Sequence, residues 1–312
     1  MDYQIGELVP TRLAYGQALA ELGGSEPKIV VLDAEVGNST YAELFAQKFP
    51  ERFFEMYIAE QSLVGAALGL SKAGKIPFAS TFAAFFTRAF DQIRMAAYSK
   101  PNLKLCGSHA GVSIGEDGSS QMGLEDLAMM RALPGTTVLY PADAVATAKL
   151  VKLMAEHQGL DYLRTTRPAT PVIYRNDAEF VVGGSQTLIQ SATDRLTIVA
   201  AGITVHQALT AADKLEKAHI SVRVIDAYSI KPLDISGLQS AAKTTNNLVL
   251  TAEDHRVEGG LGEAVAGALA PLGIKVFHLG VDKIPGSGRA DELLAYANIS
   301  ANSIVRMVKS IL

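Results

Sequence analysis

Two hydrophobic rhythms alternate along this chain. Short continuous apolar runs such as Ile29-Val30-Val31-Leu32 have the character of strands buried on both faces, and between them apolar positions recur every three or four residues, as helices require. In the first half, Leu13, Tyr15, Ala18 and Leu22 predict a helix over 11–22 with Thr11 as N-cap, followed by a strand over 28–33 that ends in Asp33. The polar loop Gly37-Asn38-Ser39-Thr40 then caps a helix over 41–49. A strand over 52–57 runs into Glu60, after which Leu63, Val64, Ala67, Leu68 and Leu70 give a helix closed by Gly74. Strands over 76–80, 102–107, 137–140 and 161–165 alternate with helices over 88–98, 124–133 and 142–157. The periodicity weakens between 168 and 194, and a second series follows. Its strands are expected over 196–200, 221–225, 247–251 and 274–279, and its helices over 205–218, 235–243, 262–270 and 301–312. Glu253-Asp254-His255-Arg256 reads as a charged loop after the third of these strands.

Such alternation predicts an α/β protein of two domains, each a mostly parallel sheet flanked by helices and joined by right-handed crossovers. A chain of 312 residues suits two domains. The division is expected as 1–180, a linker over 181–194, and 195–312.

Composition narrows the function. With 48% hydrophobic and 19% charged residues there is ample material for two cores. The net charge of −4, with dispersed Lys and Arg, lacks the footprint of a nucleic-acid binder. The single Cys106 lies in an apolar strand and reads as an inert core thiol. One Cys and dispersed His cannot make a zinc site, and neither a Walker loop nor GxGxxG occurs. Residues 1–10 have no apolar signal-peptide core and no run of about 18 apolar residues suggests a membrane span, so a cytoplasmic protein is expected.

Chemistry gathers at strand ends, where open α/β sheets bind ligands. Glu60 sits where strand gives way to helix. This is commonly only a favourable dipole position, but apolar neighbours on both sides point to a carboxylate held out of water. Phe82 and Phe85 are one turn apart and serve either core packing or a stacking platform for a flat ligand. His109 precedes the glycine-rich loop that carries Asp117, and Arg12 and Arg167 are donors suited to a phosphate ester or to surface carboxylates. Arg12 in the first turn of a helix opposes the dipole unless an anion is near. His255 beside Asp254 reads as a solvated loop or an interdomain contact, and His157, His206, His219 and His278 read as structural.

The segments Tyr57-Ile58-Ala59-Glu60-Gln61, Ser80 through Ala97, and Gly107-Ser108-His109 through Gly118, with Gly202 and Glu253-Asp254-His255 later, resemble the C-terminal half of transketolases. The resemblance spans nearly the whole chain and implies a pyrimidine-binding domain followed by the family's C-terminal domain. By it, Glu60 would hydrogen-bond N1′ of the aminopyrimidine of thiamine diphosphate and favour the imino tautomer that removes the thiazolium proton. Phe82, Phe85 and Arg88 would complete that pocket, with Phe85 stacked on the ring. His109 would meet the C1 hydroxyl region of a ketose donor and Asp117 its C2 hydroxyl. Arg12, Ser39 and Arg167 would grip the phosphate, and Gln121 stands where many transketolases carry a His. A glutamine cannot shuttle a proton.

The family's diphosphate-binding Gly-Asp-Gly is absent, and residues 143–148, where its downstream Asn would fall beyond Asp117, contain none. The expectation is therefore the separately encoded C-terminal subunit of a split transketolase. An N-terminal partner chain would hold the diphosphate and its Mg2+ or Ca2+, with no metal bound by this chain, in an α2β2 heterotetramer acting on sugar phosphates of the pentose phosphate pathway. The β subunit of a 2-oxo acid dehydrogenase E1, a 1-deoxyxylulose-phosphate synthase-like fragment and an inactive scaffold subunit are the alternatives.

Overall fold

The computed structural model describes residues 2–312; Met1, where the first expected domain begins, lies outside the described residues. Among the described residues fourteen strands follow in order: β1 (Leu8–Pro10), β2 (Ile29–Asp33), β3 (Phe53–Glu55), β4 (Ile76–Phe82), β5 (Leu103–Ser108), β6 (Thr136–Leu139), β7 (Leu160–Arg164), β8 (Ala169–Pro171), β9 (Gln186–Ile189), β10 (Thr197–Ala200), β11 (Arg223–Asp226), β12 (Ser229–Lys231), β13 (Leu248–Arg256) and β14 (Lys275–Val281). They form a seven-stranded sheet ordered β12-β6-β7-β5-β4-β2-β3, a five-stranded sheet ordered β14-β13-β10-β11-β9, and the small pair β1-β8. Within the large sheet β2 to β7 are parallel and β12 is antiparallel. The second sheet is parallel except for β9. The chain thus folds as two α/β units of mostly parallel sheet flanked by helices.

Strand alternation decides which residues face which helix layer. Val30 and Leu32 of β2 pack with Leu63, Val64 and Ala67 of the helix Glu60–Lys72, whereas Ile29 and Val31 pack on the opposite face with Tyr15, Ala18 and Leu19 of the helix Thr11–Ser25. At the centre Arg164 and Asp126, both fully buried, form a two-point ion pair at 2.9 and 3.1 Å, and Tyr162 Oη donates to the same carboxylate at 2.6 Å. Breaking such a pair by removing one partner costs about 3–5 kcal/mol.

Several expectations require correction. Thr11 does not cap the first helix: Pro10 precedes it, and the Thr11 hydroxyl instead lies 3.2 Å from Thr166 Oγ1. The loop 37–40 is a single helical turn ahead of the helix Glu43–Lys48. Inside the stretch expected as a linker, Gln186–Ile189 forms β9, so the second sheet has five strands rather than about four. β12 crosses back to extend the large sheet, with Ser229 opposite Leu139. Glu253-Asp254-His255-Arg256 is no charged loop. It is the end of β13, with Glu253, Asp254 and His255 buried. Among the described residues no helix is long and apolar enough to cross a membrane.

Candidate active site

Because β2, β3, β4, β5 and β7 run parallel, their carboxyl ends open on one edge of the large sheet. Glu60 is the first residue of the helix that follows β3, where unpaired amides favour a carboxylate, and it is only 4% exposed. Arg88, half exposed on the short turn Phe85–Ala89, donates to Glu60 Oε1 at 2.5 Å. Among the described residues no donor is bound to Oε2. The Arg88 guanidinium also lies 4.3 Å from the centre of the Phe85 ring. Phe85 stacks on Phe82 with centroids 5.1 Å apart, and Phe82 stacks on the His109 imidazole at 3.8 Å. A continuous column of flat groups therefore leads from the buried carboxylate to His109.

On the far side of Phe82 lies a cleft of about 540 Å³ lined by Arg12, Asn38, Ser39, Tyr41, Phe82, His109, Asp117, Gln121 and Arg167. Every residue expected to hold a sugar phosphate is thus in one cleft, although the six come from four separated stretches of chain. Glu60, Phe85 and Arg88 lie outside it, across Phe82. Asn38 and Tyr41 are additions that sequence reasoning passed over. Within the polar loop 37–40 no feature of the sequence sets Asn38 apart, and the helical period places Tyr41 as an ordinary helix residue.

The loops are held from beneath. Asp33, buried at the end of β2, accepts from Val36 N and Thr40 Oγ1, both at 2.7 Å, and so fixes the turn that presents Asn38 and Ser39. Burial raises its carboxyl to about 7 against the pull of those two donors. Arg12 Nη1 donates to Ser39 O at 2.8 Å and its guanidinium lies 5.2 Å from the Tyr41 ring centre, while its buried Nε has no partner among the described residues. Gly115 and Gly118, both at positive φ, turn the loop that carries Asp117 back over the cleft. Arg167 Nη1 donates to Ile114 O at 2.9 Å and lies 3.4 Å from Asp117 Oδ1. The cleft thus presents two guanidinium groups, a donor set suited to a phosphate dianion.

His109 adopts a left-handed backbone (φ 55°), with Nδ1 3.0 Å from Ser108 Oγ and Nε2 4.0 Å from Asp117 Oδ2. Burial, then the nearby Arg12 and Arg167, lower its pKa from 6.5 to about 3. The imidazole is neutral at physiological pH and offers one donor and one acceptor. Because the folded value lies below the unfolded one, the neutral ring supports folding fully above about 6.5, and that support is lost as the pH falls toward 3. Histidine NMR of the purified chain is expected to show the His109 ring unprotonated down to pH 5; a midpoint near 6.5 would contradict this environment.

The family model described as transketolase, pyrimidine binding domain, matches residues 7–172, and that of the transketolase C-terminal domain matches residues 185–304. Transketolase of Homo sapiens is 49% identical over 313 aligned positions, covering 100% of this chain and 50% of its own length. Transketolase of Mus musculus is 50% identical, covering 99% and 50%. The chain spans about half the length of the curated relatives it matches. Among solved structures, one described as a split gene transketolase, inactive beta4 tetramer, superposes with a TM-score of 0.88 at 45% identity, covering 97% of both chains. Transketolase from Campylobacter jejuni gives a TM-score of 0.85 at 21% identity over 98% of this chain and 47% of its own, a likeness of fold.

Proposed function

Because this chain belongs to the transketolase family and carries its pyrimidine-binding and C-terminal domains, we propose that it is the C-terminal subunit of a thiamine diphosphate-dependent transketolase. The reaction is reversible transfer of a two-carbon ketol unit from a ketose phosphate to an aldose phosphate. One observation carries the reading: a buried glutamate with an unclaimed oxygen is joined by stacked rings to a cleft holding two arginines, a neutral histidine and an aspartate.

The residues fit one end of the cofactor and not the other. Glu60 Oε2 is open to a ring nitrogen, and Phe85 and Phe82 supply flat apolar faces beside it. At the other end, the described residues contain no cluster of three or more His, Cys, Asp or Glu able to hold a metal ion, and the sequence has no Gly-Asp-Gly. The diphosphate and its Mg2+ or Ca2+ therefore belong to a second, N-terminal polypeptide in this proposal. Tyr57 and Ile58, 66% and 75% exposed beside Glu60, are apolar surface for subunits to cover in an α2β2 assembly. The solved split-gene relative, inactive as a beta4 tetramer, supports the same dependence on a second chain. Residues 1–180 and 195–312 are proposed as the two domains, with 181–194 between them. The cytoplasmic setting and the pentose phosphate pathway are taken from the family.

Thiamine diphosphate, when bound, supplies a thiazolium that stabilises the carbanion of the transferred unit. Glu60 holds a proton at the pyrimidine N1′, and burial keeps water from competing for that contact. Arg88 covers the outer side of the carboxylate. His109 offers its neutral ring to the C1 hydroxyl and Asp117 accepts from the C2 hydroxyl. Arg12, Ser39 and Arg167 hold the distant phosphate, binding energy that orients the reacting carbons. Gln121 contributes hydrogen bonds without proton transfer. The test is to combine the chain with a diphosphate-binding half and offer two donors. Xylulose 5-phosphate with ribose 5-phosphate is expected to react; turnover of pyruvate with an electron acceptor instead would assign the chain to the 2-oxo acid dehydrogenases.

A further inference from the structure

The end of β13 reaches out of its own sheet and into the large domain. Asp254, fully buried, accepts from Val112 N at 2.7 Å through Oδ1 and from Ser113 N at 3.0 Å through Oδ2. Those two amides open the short turn Val112–Ile114, which lies between His109 and Asp117. Ile114 O in turn receives Arg167 Nη1. A single carboxylate from the second domain is therefore tied to the segment joining three residues of the cleft.

The approach is close enough to dictate sequence. Gly111 has φ 85°, and a Cβ there would stand 2.1 Å from Asp254 Oδ2, so only glycine leaves room for the carboxylate. The neighbours of Asp254 are held as firmly: Arg256 N donates to Leu124 O at 3.1 Å and Ala128 N to His255 Nε2 at 3.3 Å. Glu253 accepts from Leu261 N, Gly262 N and His278. A buried carboxylate is an expensive way to fasten a loop when apolar packing would do, but its two amide bonds fix direction as well as distance.

We propose that Asp254 is a positioning residue: by holding Val112 and Ser113 it sets His109, Asp117 and Arg167 in register for the sugar phosphate. This rests on the reading of the cleft given above. The test uses Asp254→Asn in the full chain, first alone and then with the diphosphate-binding half. Hydrogen exchange of the free chain is expected to quicken at Val112 and Ser113 and not in the Glu60–Lys72 helix. In the reconstituted enzyme kcat/KM for the ketose phosphate is expected to fall about 10- to 100-fold, with thiamine diphosphate affinity changed less than about two-fold and the cost largely absent in an Asp117→Ala, Arg167→Ala background. Gly111→Ala, which presses on the same carboxylate from the loop side, is expected to give the same pattern should the first variant not fold. A cost that adds fully to that of the double variant, or equal losses of cofactor and substrate binding, would overturn the role and leave Asp254 a fold determinant. A wild-type pair that transfers no ketol unit would overturn the reading of the cleft and this role with it, and the exchange result would still report on the tie itself.

Discussion

Glu60→Ala is expected to lower ketol transfer by the reconstituted enzyme by about 10²–10⁴-fold, the range for loss of one positioned proton-sharing group. The carboxylate is 4% exposed, its Oε1 is committed to Arg88, and its Oε2 is open among the described residues. Truncation to Ala removes a buried acid next to the Arg88–Phe85 pair while leaving the ring stack in place. The loss should appear in kcat at saturating cofactor, because the contact acts on reactivity and the phosphates are held elsewhere. Glu60→Gln separates shape from proton sharing: it fits the same space and is expected to be nearly as impaired. Steady-state rates at several cofactor concentrations distinguish this from weakened binding, in which added cofactor would restore the rate.

Arg167→Ala is expected to act at the other end of the substrate. Hydrogen bonds to charged groups are worth about 1.5–3 kcal/mol, so KM for phosphorylated donors should rise about 10- to 100-fold with kcat changed far less. Arg12 remains in the cleft, anchored on Ser39 O, and keeps part of the phosphate contact. An unphosphorylated ketose offers neither arginine a partner and should lose little. Equal losses for both donors would mean that Arg167 serves the loop, through Ile114 O, more than the phosphate.

The parts of this molecule that follow local rules were legible in the amino-acid order. Runs such as Ile29–Asp33 and helices such as Ile235–Lys243 announce themselves through period and length. Of the cleft residues, Phe82, His109, Asp117 and Arg167 are legible as chemical types at or just after strand ends, which parallel strands bring together, whereas Ser39 and Gln121 follow only from the family resemblance. What escaped depends on partners distant in sequence. β1 and β8 are three residues each and exist only because they pair with one another. β12 is equally short and is held by β6 of the other domain. Three polar residues in succession make Glu253-Asp254-His255 read as a charged loop, with an interdomain contact as the alternative for His255, and each finds its partners in backbone amides or histidine rings that the sequence does not place beside it. Thr11 has the right type for a cap, but its hydroxyl goes to Thr166 and the backbone bends at Pro10 instead. Tyr41 enters the cleft from a left-handed backbone (φ 61°), a conformation no period predicts.

The reaction centre proposed for this enzyme is completed only by two polypeptides, with this one supplying the acid and the phosphate grip. The most direct measurement is ketol transfer at saturating thiamine diphosphate by three samples: the chain alone, the chain with a diphosphate-binding half, and the same pair carrying Glu60→Ala. Turnover confined to the wild-type pair is the predicted result. Activity of the chain alone, or an undiminished rate from the Glu60→Ala pair, would contradict it.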